Sequence, residues 1–488
     1  MMENELNAWL SKIDSCIWGI PLIVLILLVG AILTIQLKGI QFRHLPEAFH
    51  FMMWKGKGKG EVSSFGALCT ALSATVGTGN IVGVATAITA GGPGALFWMV
   101  LAACLGMATK YAEATLAVRY RSIDKDNHVL GGPFYYIERG MKEKFGDSFK
   151  WLAALFAVFG CLVGLMGIGT MTQMNSITSG IQNFFDPKKA NTVSLFGSNY
   201  SWTIVIAAVV ITLLAALVII GGLKRISAVA TKIIPTMFAI YIISAVYVIC
   251  YNGANIGSAF DQIFHGAFSG TAAAGGFAGA VVAEAIRNGI ARGIFSNESG
   301  LGSSPIAAAA GKVAFPAQQG LVSMLGTFFD TIIICNLTGL CIVSSGAYKV
   351  KGLEGFFVTD NAFRKAFFFA PDVGSFLLMI CLTLFAFTTI LGWNYYGTRC
   401  ISYLSSGSKK AIIAYNWLYI IALAAGPFLA LNSIWTLADI VNGLMAFPNL
   451  IALFSLSDVV KKETDHFFDY LKKNPYKKKK QQKICAEE

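Results

Sequence analysis

Apolar runs recur along the entire chain, and many reach the roughly 18 residues that a helix needs to cross a hydrocarbon core. Hydrophobic residues make up 55% of the chain and charged residues only 13%. A soluble globular chain carries about 25% charged residues, so a soluble class is excluded. Within lipid, a helix satisfies its own backbone hydrogen bonds. The sequence therefore predicts an all-α, polytopic membrane protein.

The apolar runs predict eleven membrane spans. Their ranges are 17–37, 64–89, 94–118, 151–183, 201–222, 227–251, 268–291, 317–346, 372–398, 411–430 and 433–456. Lys and Arg are concentrated in alternate connections, notably 38–60 and 119–150, and in the C-terminal tail. Since cytoplasmic loops are enriched in these residues, we expect the N-terminus outside and the C-terminus in the cytoplasm. This bias accounts for most of the net charge of +12, which gives no support for a nucleic-acid partner.

The second span is interrupted by the run Ala-Thr-Val-Gly-Thr-Gly-Asn-Ile-Val-Gly at residues 74–83. Unwinding there frees backbone N–H and C=O groups, which persist in a bilayer only where protein, water or a ligand satisfies them. A helix broken at mid-depth indicates the binding site of a secondary transporter. The alternative is that these glycines only allow close helix packing.

A second glycine-rich run, residues 270–279, places Gly275 and Gly276 within the seventh span. The two runs are five spans apart, so two five-helix repeats would have opposite orientations in the membrane. This is the inverted-repeat design, in which two discontinuous helices form a site near the midplane. The predicted organisation is an N-terminal helix and connector (1–62), a transporter core (63–458, with repeats at about 63–252 and 265–458) and a lysine-rich cytoplasmic tail (459–488).

The residues of the first break indicate which kinds of ligand could bind there. Unwinding at Val76–Gly79 exposes N–H groups at the start of a half-helix, where the helix dipole favours a carboxylate. Freed carbonyl groups near Thr75 and Val76 are suitable ligands for a hard cation, and the side chain of Asn80 adds an oxygen. The break is therefore a candidate site for both a carboxylate and a cation.

Polar and aromatic side chains elsewhere fit the same site. Thr388 and Thr389 are adjacent hydroxyls in an apolar helix, and either cation ligation or hydrogen bonding to their own helix would explain them. Trp393 lies one turn beyond Thr389 and could form one pocket wall, with Phe277 opposite, although each aromatic could also be simple packing. Gln173 lies in a polar patch of the fourth span and needs partners if buried.

Four longer motifs carry a family resemblance. They are Ala74–Gly83, Gly91–Met99 (Gly-Gly-Pro-Gly-Ala-Leu-Phe-Trp-Met), Gly131–Glu138 and Ala291–Gly302. The order and spacing of these motifs resemble those of the alanine or glycine:cation symporter family. Its members are the sodium:alanine symporters of the amino acid-polyamine-organocation superfamily. Val100 departs from the pattern, because the family has a second tryptophan there.

The resemblance implies a leucine-transporter-type fold of 5+5 helices preceded by one extra N-terminal helix. It implies two sets of site residues. The substrate contacts are Gly77, Thr78, Gly79, Gln173, Gly276, Phe277 and Trp393. The sodium ligands are Thr75, Val76, Asn80, Thr388 and Thr389. For the loop Ser296–Gly302, we expect a cytoplasmic turn with a helix cap.

The expected function is sodium-coupled import of a small neutral amino acid, alanine or glycine, across a prokaryotic cell membrane by alternating access. Sodium is then the coupling ion, with no organic cofactor. Glu113, Glu284 and Asp330 lie in or near spans, so proton coupling stays open as an alternative. An internal ion pair, such as Glu113 with Lys110, would also explain such a carboxylate.

Two other classes have less support. A channel would need a filter segment or a ring-forming charge pattern, and the sequence has neither. A membrane enzyme would need a catalytic or metal-ligand cluster. The ten cysteines and five histidines show no such spacing. A transporter is therefore the prediction.

Overall fold

The computed structural model describes residues 2–54, 58–123, 128–195, 198–269, 278–428 and 431–474. Among these residues, nine helical segments are long and apolar enough to cross a membrane, in agreement with nine of the predicted spans. The second predicted span forms two shorter apolar helices, 64–75 and 82–91. The seventh predicted span, 268–291, includes residues 270–277, which lie outside the described residues.

The helices fall into four groups along the chain. The N-terminal group is α1 (Met2–Ile17), α2 (Ile20–Gln36), α3 (Ile40–Arg43) and α4 (Leu45–Met52). The next is α5 (Ser64–Thr75), α6 (Val82–Gly91), α7 (Gly94–Arg119), α8 (Pro133–Tyr135), α9 (Met141–Phe145), α10 (Lys150–Met166), α11 (Met171–Phe185), α12 (Trp202–Ile219) and α13 (Gly222–Tyr251).

The third group is α14 (Ile256–Phe268), α15 (Ala278–Asn297), α16 (Pro305–Ala308), α17 (Pro316–Thr327), α18 (Asn336–Ser345), α19 (Phe356–Ala366), α20 (Pro371–Leu404), α21 (Lys409–Ala425) and α22 (Leu431–Ser455). The last is α23 (Ser457–Lys473). Two antiparallel hairpins, β1 (Ser122–Ile123) with β2 (Val129–Leu130) and β3 (Thr192–Leu195) with β4 (Ser198–Ser201), lie in connecting segments.

The long helix α20 lies at the centre of the bundle and packs on α5, α10, α11 and α13. Its contact with α5 is unusually close, because a Cβ atom on Gly392 would lie only 2.6 Å from the backbone nitrogen of Ala74. Small residues allow membrane helices to approach in this way. Gly392 therefore sets the distance between α20 and the helix that leads into the first break.

The fourth span contains an interruption that the sequence did not predict. The span predicted at 151–183 is present as two helices, because α10 ends at Met166 and α11 begins at Met171. A Cβ on Gly169 would lie 2.6 Å from the Cβ of Trp393, so the chain must turn aside there. The freed carbonyl of Gly169 accepts a 2.7 Å hydrogen bond from the Tyr419 hydroxyl. The predicted span is therefore confirmed, and the turn within it arises from tertiary contacts rather than from local sequence.

The C-terminal segment begins as a helix packed on the bundle. In α23, the side chains of Val460, Thr464 and Phe467 are buried. The Thr464 hydroxyl is 2.8 Å from the hydroxyl of Tyr111 in α7. The lysines at 477–480 lie outside the described residues. The first half of the predicted tail is thus part of the folded structure.

We expect Gly392→Ala to lower the melting temperature of the purified protein in detergent. The added methyl group meets backbone atoms of Ala74, and overpacking of this kind costs about 1–3 kcal/mol. The matched control is Gly257→Ala in α14, where an added Cβ meets nothing within 4 Å. Equal melting temperatures for the two variants would contradict the close α5–α20 contact.

Candidate functional site

The first predicted break is present in the structure. Helix α5 ends at Thr75, residues Thr78–Asn80 form a single 3₁₀ turn, and α6 begins at Val82. All residues from Thr75 to Asn80 are buried. The backbone nitrogen of Gly77 donates a 2.9 Å hydrogen bond to Oδ1 of Asn80. A side chain of the break therefore replaces a helical hydrogen bond that unwinding removes.

One group of oxygen atoms lies between the break and α20. The Thr389 hydroxyl is 3.3 Å from the carbonyl oxygen of Val76 and 3.1 Å from that of Phe385. The Thr388 hydroxyl is 2.9 Å from the same Phe385 oxygen. Three of the predicted sodium ligands thus meet at one point. The Thr75 hydroxyl instead faces carbonyls of its own helix, at 3.4 and 3.5 Å.

A second group of oxygen atoms surrounds Asp330. Its Oδ1 accepts a 2.7 Å hydrogen bond from Nδ2 of Asn80, and its Oδ2 accepts from the hydroxyls of Ser296 at 3.0 Å and Thr331 at 2.7 Å. Asp330 is fully buried and lies in a π-helical segment, Phe328–Cys335, between α17 and α18. Sequence reasoning noted Asp330 only as an intramembrane carboxylate and did not connect it with Asn80.

The loop Glu298–Ser304, between α15 and α16, is a second interruption in the interior. Every residue of the loop is buried, and Glu298 has a φ of 56°. Its carboxylate accepts hydrogen bonds from Trp393 Nε1 at 3.0 Å and from the Ser303 hydroxyl. The expectation of a cytoplasmic turn in this region was wrong, because buried polar contacts draw the loop against the rest of the site.

Most of the interruption predicted at 270–279, residues 270–277, lies outside the described residues. The same holds for the candidate substrate contacts Gly276 and Phe277. The structure nevertheless places a different interruption next to the first break. A Cβ on Gly79 would lie 3.3 Å from the Cα of Ser296, in the last turn of α15 two residues before the loop. The two interruptions therefore meet in the interior of the bundle.

A buried carboxylate holds the loop in place. Oε1 of Glu113, in α7, accepts hydrogen bonds from the backbone nitrogens of Gly300 at 3.1 Å and Gly302 at 3.2 Å. The sequence also offered an ion pair of Glu113 with Lys110, but the two side chains form no salt bridge within 4 Å in the described structure. Lys110 Nζ donates to the Ser304 hydroxyl at 2.6 Å. Lys110 and Glu113 of α7 thus both bind the interrupted segment.

The remaining predicted substrate contacts lie around the first break. The backbone nitrogen of Thr78 donates a long 3.4 Å hydrogen bond to Oε1 of Gln173. Trp393 is fully buried beside the loop, where its indole nitrogen binds Glu298. Phe295, which the sequence did not single out, stands next to Gly79. Its position at the end of α15 becomes informative only once the second interruption is known.

A cavity of about 1110 Å³ reaches the break from the protein surface. Its lining includes Thr78, Gly79 and Phe295 and the loop segment 350–355. A small solute can therefore approach the backbone amides of the break without crossing the packed core. An interrupted helix pair with oxygen clusters and such a cavity defines a multi-pass transport protein.

The fold agrees with that class. A crystal structure of MhsT in complex with L-phenylalanine matches with a TM-score of 0.55 at 15% sequence identity, covering 84% of this chain and 99% of that chain. At this identity the likeness establishes the leucine-transporter-type fold alone.

Sequence comparison identifies the family. Residues 3–483 match the sodium:alanine symporter family, and the chain belongs to it. An uncharacterized transporter of Haemophilus influenzae is 49% identical over 468 residues, 96% of this chain and 97% of its own. The sodium/alanine symporter AgcS of Methanococcus maripaludis is 41% identical over 471 residues, 96% of this chain and 98% of its own. The probable sodium/glutamine symporter GlnT of Bacillus subtilis is 36% identical over 465 residues, 94% and 90% respectively.

We expect Gly77→Ala to reduce the rate of amino acid transport by at least about tenfold, since a 1 Å displacement of a binding group can lower a rate by more than that. The new Cβ would lie 2.5 Å from Oγ1 of Thr389 and would separate the break from α20. The matched control is Gly83→Ala, where nothing lies within 4 Å. Uptake into proteoliposomes measures both variants, and equal rates would contradict the proposed contact.

Proposed function

We propose that this chain is a sodium-coupled symporter that imports a small neutral amino acid, alanine or glycine, by alternating access. The observation that carries the proposal is the pair of oxygen clusters on either side of the break. One contains Val76, Thr388 and Thr389, and the other contains Asn80 and Asp330. Backbone amides for a carboxylate lie between them.

The first cluster suits a hard monovalent cation. Carbonyl and hydroxyl oxygens are the donors that hard cations prefer, whereas nitrogen and sulfur donors favour transition metals. The hydroxyls of Thr388 and Thr389 now donate to the carbonyls of Phe385 and Val76. A cation at this point would be bound by both carbonyls and by the lone pairs of both hydroxyls.

The second cluster adds a negative charge. A sodium ion there would be bound by the Asp330 carboxylate with the hydroxyl oxygens of Ser296 and Thr331, next to the amide of Asn80. The same buried carboxylate also supports the alternative of proton coupling, because it could carry the coupled proton. The two alternatives differ in what drives transport, so experiment separates them.

The carboxylate of the amino acid would bind at the amides of the Gly77–Gly79 segment. The hydrogen bond from Thr78 N to Gln173 is long at 3.4 Å, so a charged acceptor would replace it favourably. Family relatives are named for alanine and for glutamine. Trp393 is held in place by Glu298, and Phe295 lies beside Gly79, so bulky groups restrict the space next to the amides. This arrangement favours a short side chain.

Coupling then follows from the shared break. Sodium at Val76 or Asn80 fixes the backbone that binds the carboxylate, so each ligand binds better when the other is present. With the N-terminus outside, as the distribution of basic residues indicates, the cavity at Thr78 faces outward. Inward release requires the two interrupted helices to move relative to α20.

The direct test is uptake of labelled alanine into proteoliposomes. One set of vesicles has an inward sodium gradient at equal pH, and the other has an inward proton gradient without sodium. We expect accumulation above the equilibrium level only with the sodium gradient. Accumulation driven by protons alone would establish the alternative, and no accumulation with either gradient would overturn symport.

We expect Thr389→Ala to raise the sodium concentration for half-maximal uptake about tenfold, within the range seen when a supporting group of a metal site is lost. The matched control is Thr178→Ala in α11, a buried threonine whose hydroxyl binds carbonyls of its own helix. Sodium titration of alanine uptake measures both. An unchanged half-saturation for Thr389→Ala would remove this residue from the cation site.

We expect Asp330→Asn to raise the sodium concentration for half-maximal uptake by more than about tenfold, because a neutral amide replaces the negatively charged carboxylate of this cluster. The control is Asp261→Asn on α14, whose carboxylate is 66% exposed. If protons were the coupling ion, Asp330→Asn would instead abolish the pH dependence of uptake and leave sodium without effect. Measuring both dependences decides between these outcomes.

A further inference from the structure

We propose that Asp14, Arg292 and Asp439 form an entrance site that binds the amino acid as a zwitterion before it reaches the break. The proposal rests on the function proposed above. It assigns a role to α1, which lies outside the two five-helix repeats. The three side chains come from α1, α15 and α22.

The three charged residues share one cavity with the break. Asp14, Arg292 and Asp439 line the same cavity of about 1110 Å³ whose lining includes Thr78 and Gly79. An amino acid that enters this cavity therefore meets the charged residues and the backbone amides in a single connected space.

The charges are close together but incompletely paired. Nη1 of Arg292 lies 3.9 Å from Oδ2 of Asp439, which is beyond hydrogen-bond distance. Oδ1 of Asp14 and Oδ1 of Asp439 are both buried and have no hydrogen-bond partner among the described residues. Buried carboxylate oxygens without partners are uncommon, and a ligand in this cavity that carries hydrogen-bond donors would satisfy both of them.

The position of Asp439 is fixed by the N-terminal group of helices. The indole nitrogen of Trp18 donates a 2.8 Å hydrogen bond to the backbone oxygen of Asp439. A Cβ on Gly443, one turn further along α22, would lie 2.5 Å from the side chain of Ile17. The end of α1 and the start of α2 are thus packed tightly against α22, and this packing brings Asp14 to the cavity.

The chemistry of the three side chains matches a zwitterion. A guanidinium binds a carboxylate through two parallel hydrogen bonds, and an ammonium has three donors for carboxylate oxygens. Arg292 would bind the carboxylate of the amino acid, and the free oxygens of Asp14 and Asp439 would bind its ammonium group. A zwitterion satisfies both kinds of group without adding net charge to the cavity.

One aromatic residue connects the entrance site with the break. The guanidinium carbon of Arg292 lies 5.7 Å from the ring centroid of Phe295. The same ring lies 3.5 Å from the position of a Cβ on Gly79. Phe295 thus separates the two sites, and an amino acid leaving Arg292 passes this ring to reach the amides.

The test measures alanine uptake by Arg292→Gln and Asp14→Asn in proteoliposomes at saturating sodium. We expect the KM for alanine to rise about three- to tenfold in each, in the range of partly exposed charge pairs, with the maximal rate within about twofold. The matched controls are Lys12→Gln on α1 and Asp261→Asn on α14, neither of which lines the cavity. We expect both controls to keep the wild-type KM.

The outcomes separate this proposal from the proposed function. Wild-type protein without sodium-dependent uptake would refute the function itself. Wild-type uptake together with unchanged KM values in both variants would refute the entrance site. If the variants raise the half-saturating sodium concentration and leave the alanine KM unchanged, the residues bind a cation, and the zwitterion proposal is wrong.

Protein stability is controlled in the same experiment. Asp14 is partly exposed near the end of α1, so Asp14→Asn decides the result if Arg292→Gln does not insert. Arg292→Lys provides a second check, because it keeps the charge and loses the paired donors. We expect its KM to lie between those of the wild type and Arg292→Gln. A KM equal to the wild-type value would show that the paired donors are not used.

Discussion

The site depends on the need to satisfy backbone groups that an interrupted helix leaves without partners. In lipid no water is available to form hydrogen bonds with these groups, so the rest of the protein must bind them. Gly77 is bound by the side chain of Asn80, and the carbonyl of Val76 is bound by Thr389 of α20. The groups that hold the break are also the groups suited to bind ions and substrate.

Asp330 extends this requirement from one interruption to the other. It binds Asn80 of the first break and Ser296, which lies two residues before the second interruption. Glu113 binds the backbone of the second interruption from the opposite side. A change in the charge of Asp330, or the binding of an ion next to it, therefore affects both interrupted helices. This is the physical basis on which an ion could bias the movement of the bundle.

Much of this arrangement could be predicted from the sequence, because it follows from local patterns. Hydropathy located nine membrane-spanning segments among the described residues, and the glycines of 74–83 located the first break. The neighbouring hydroxyls Thr388 and Thr389 were recognised from their polarity in an apolar helix. Their contact with the break depends on Gly392, whose close approach to α5 no local pattern reveals.

The elements that were missed depend on tertiary contacts. The loop Glu298–Ser304 is polar and follows an apolar run, so it had the pattern of a surface turn. Only its contacts with Trp393 and Glu113 place it in the interior. Likewise, the π-helical segment around Asp330 changes which side of the helix faces Asn80. A helical period of 3.6 residues does not predict such a shift.

The central claim is that one break binds both the ion and the amino acid. The most direct measurement is calorimetric titration of the purified protein with alanine at several sodium concentrations, and with sodium at several alanine concentrations. Sodium should lower the alanine Kd, and alanine should lower the sodium Kd by the same factor, in the range of about 5- to 150-fold. An alanine Kd that does not change with sodium would contradict the account.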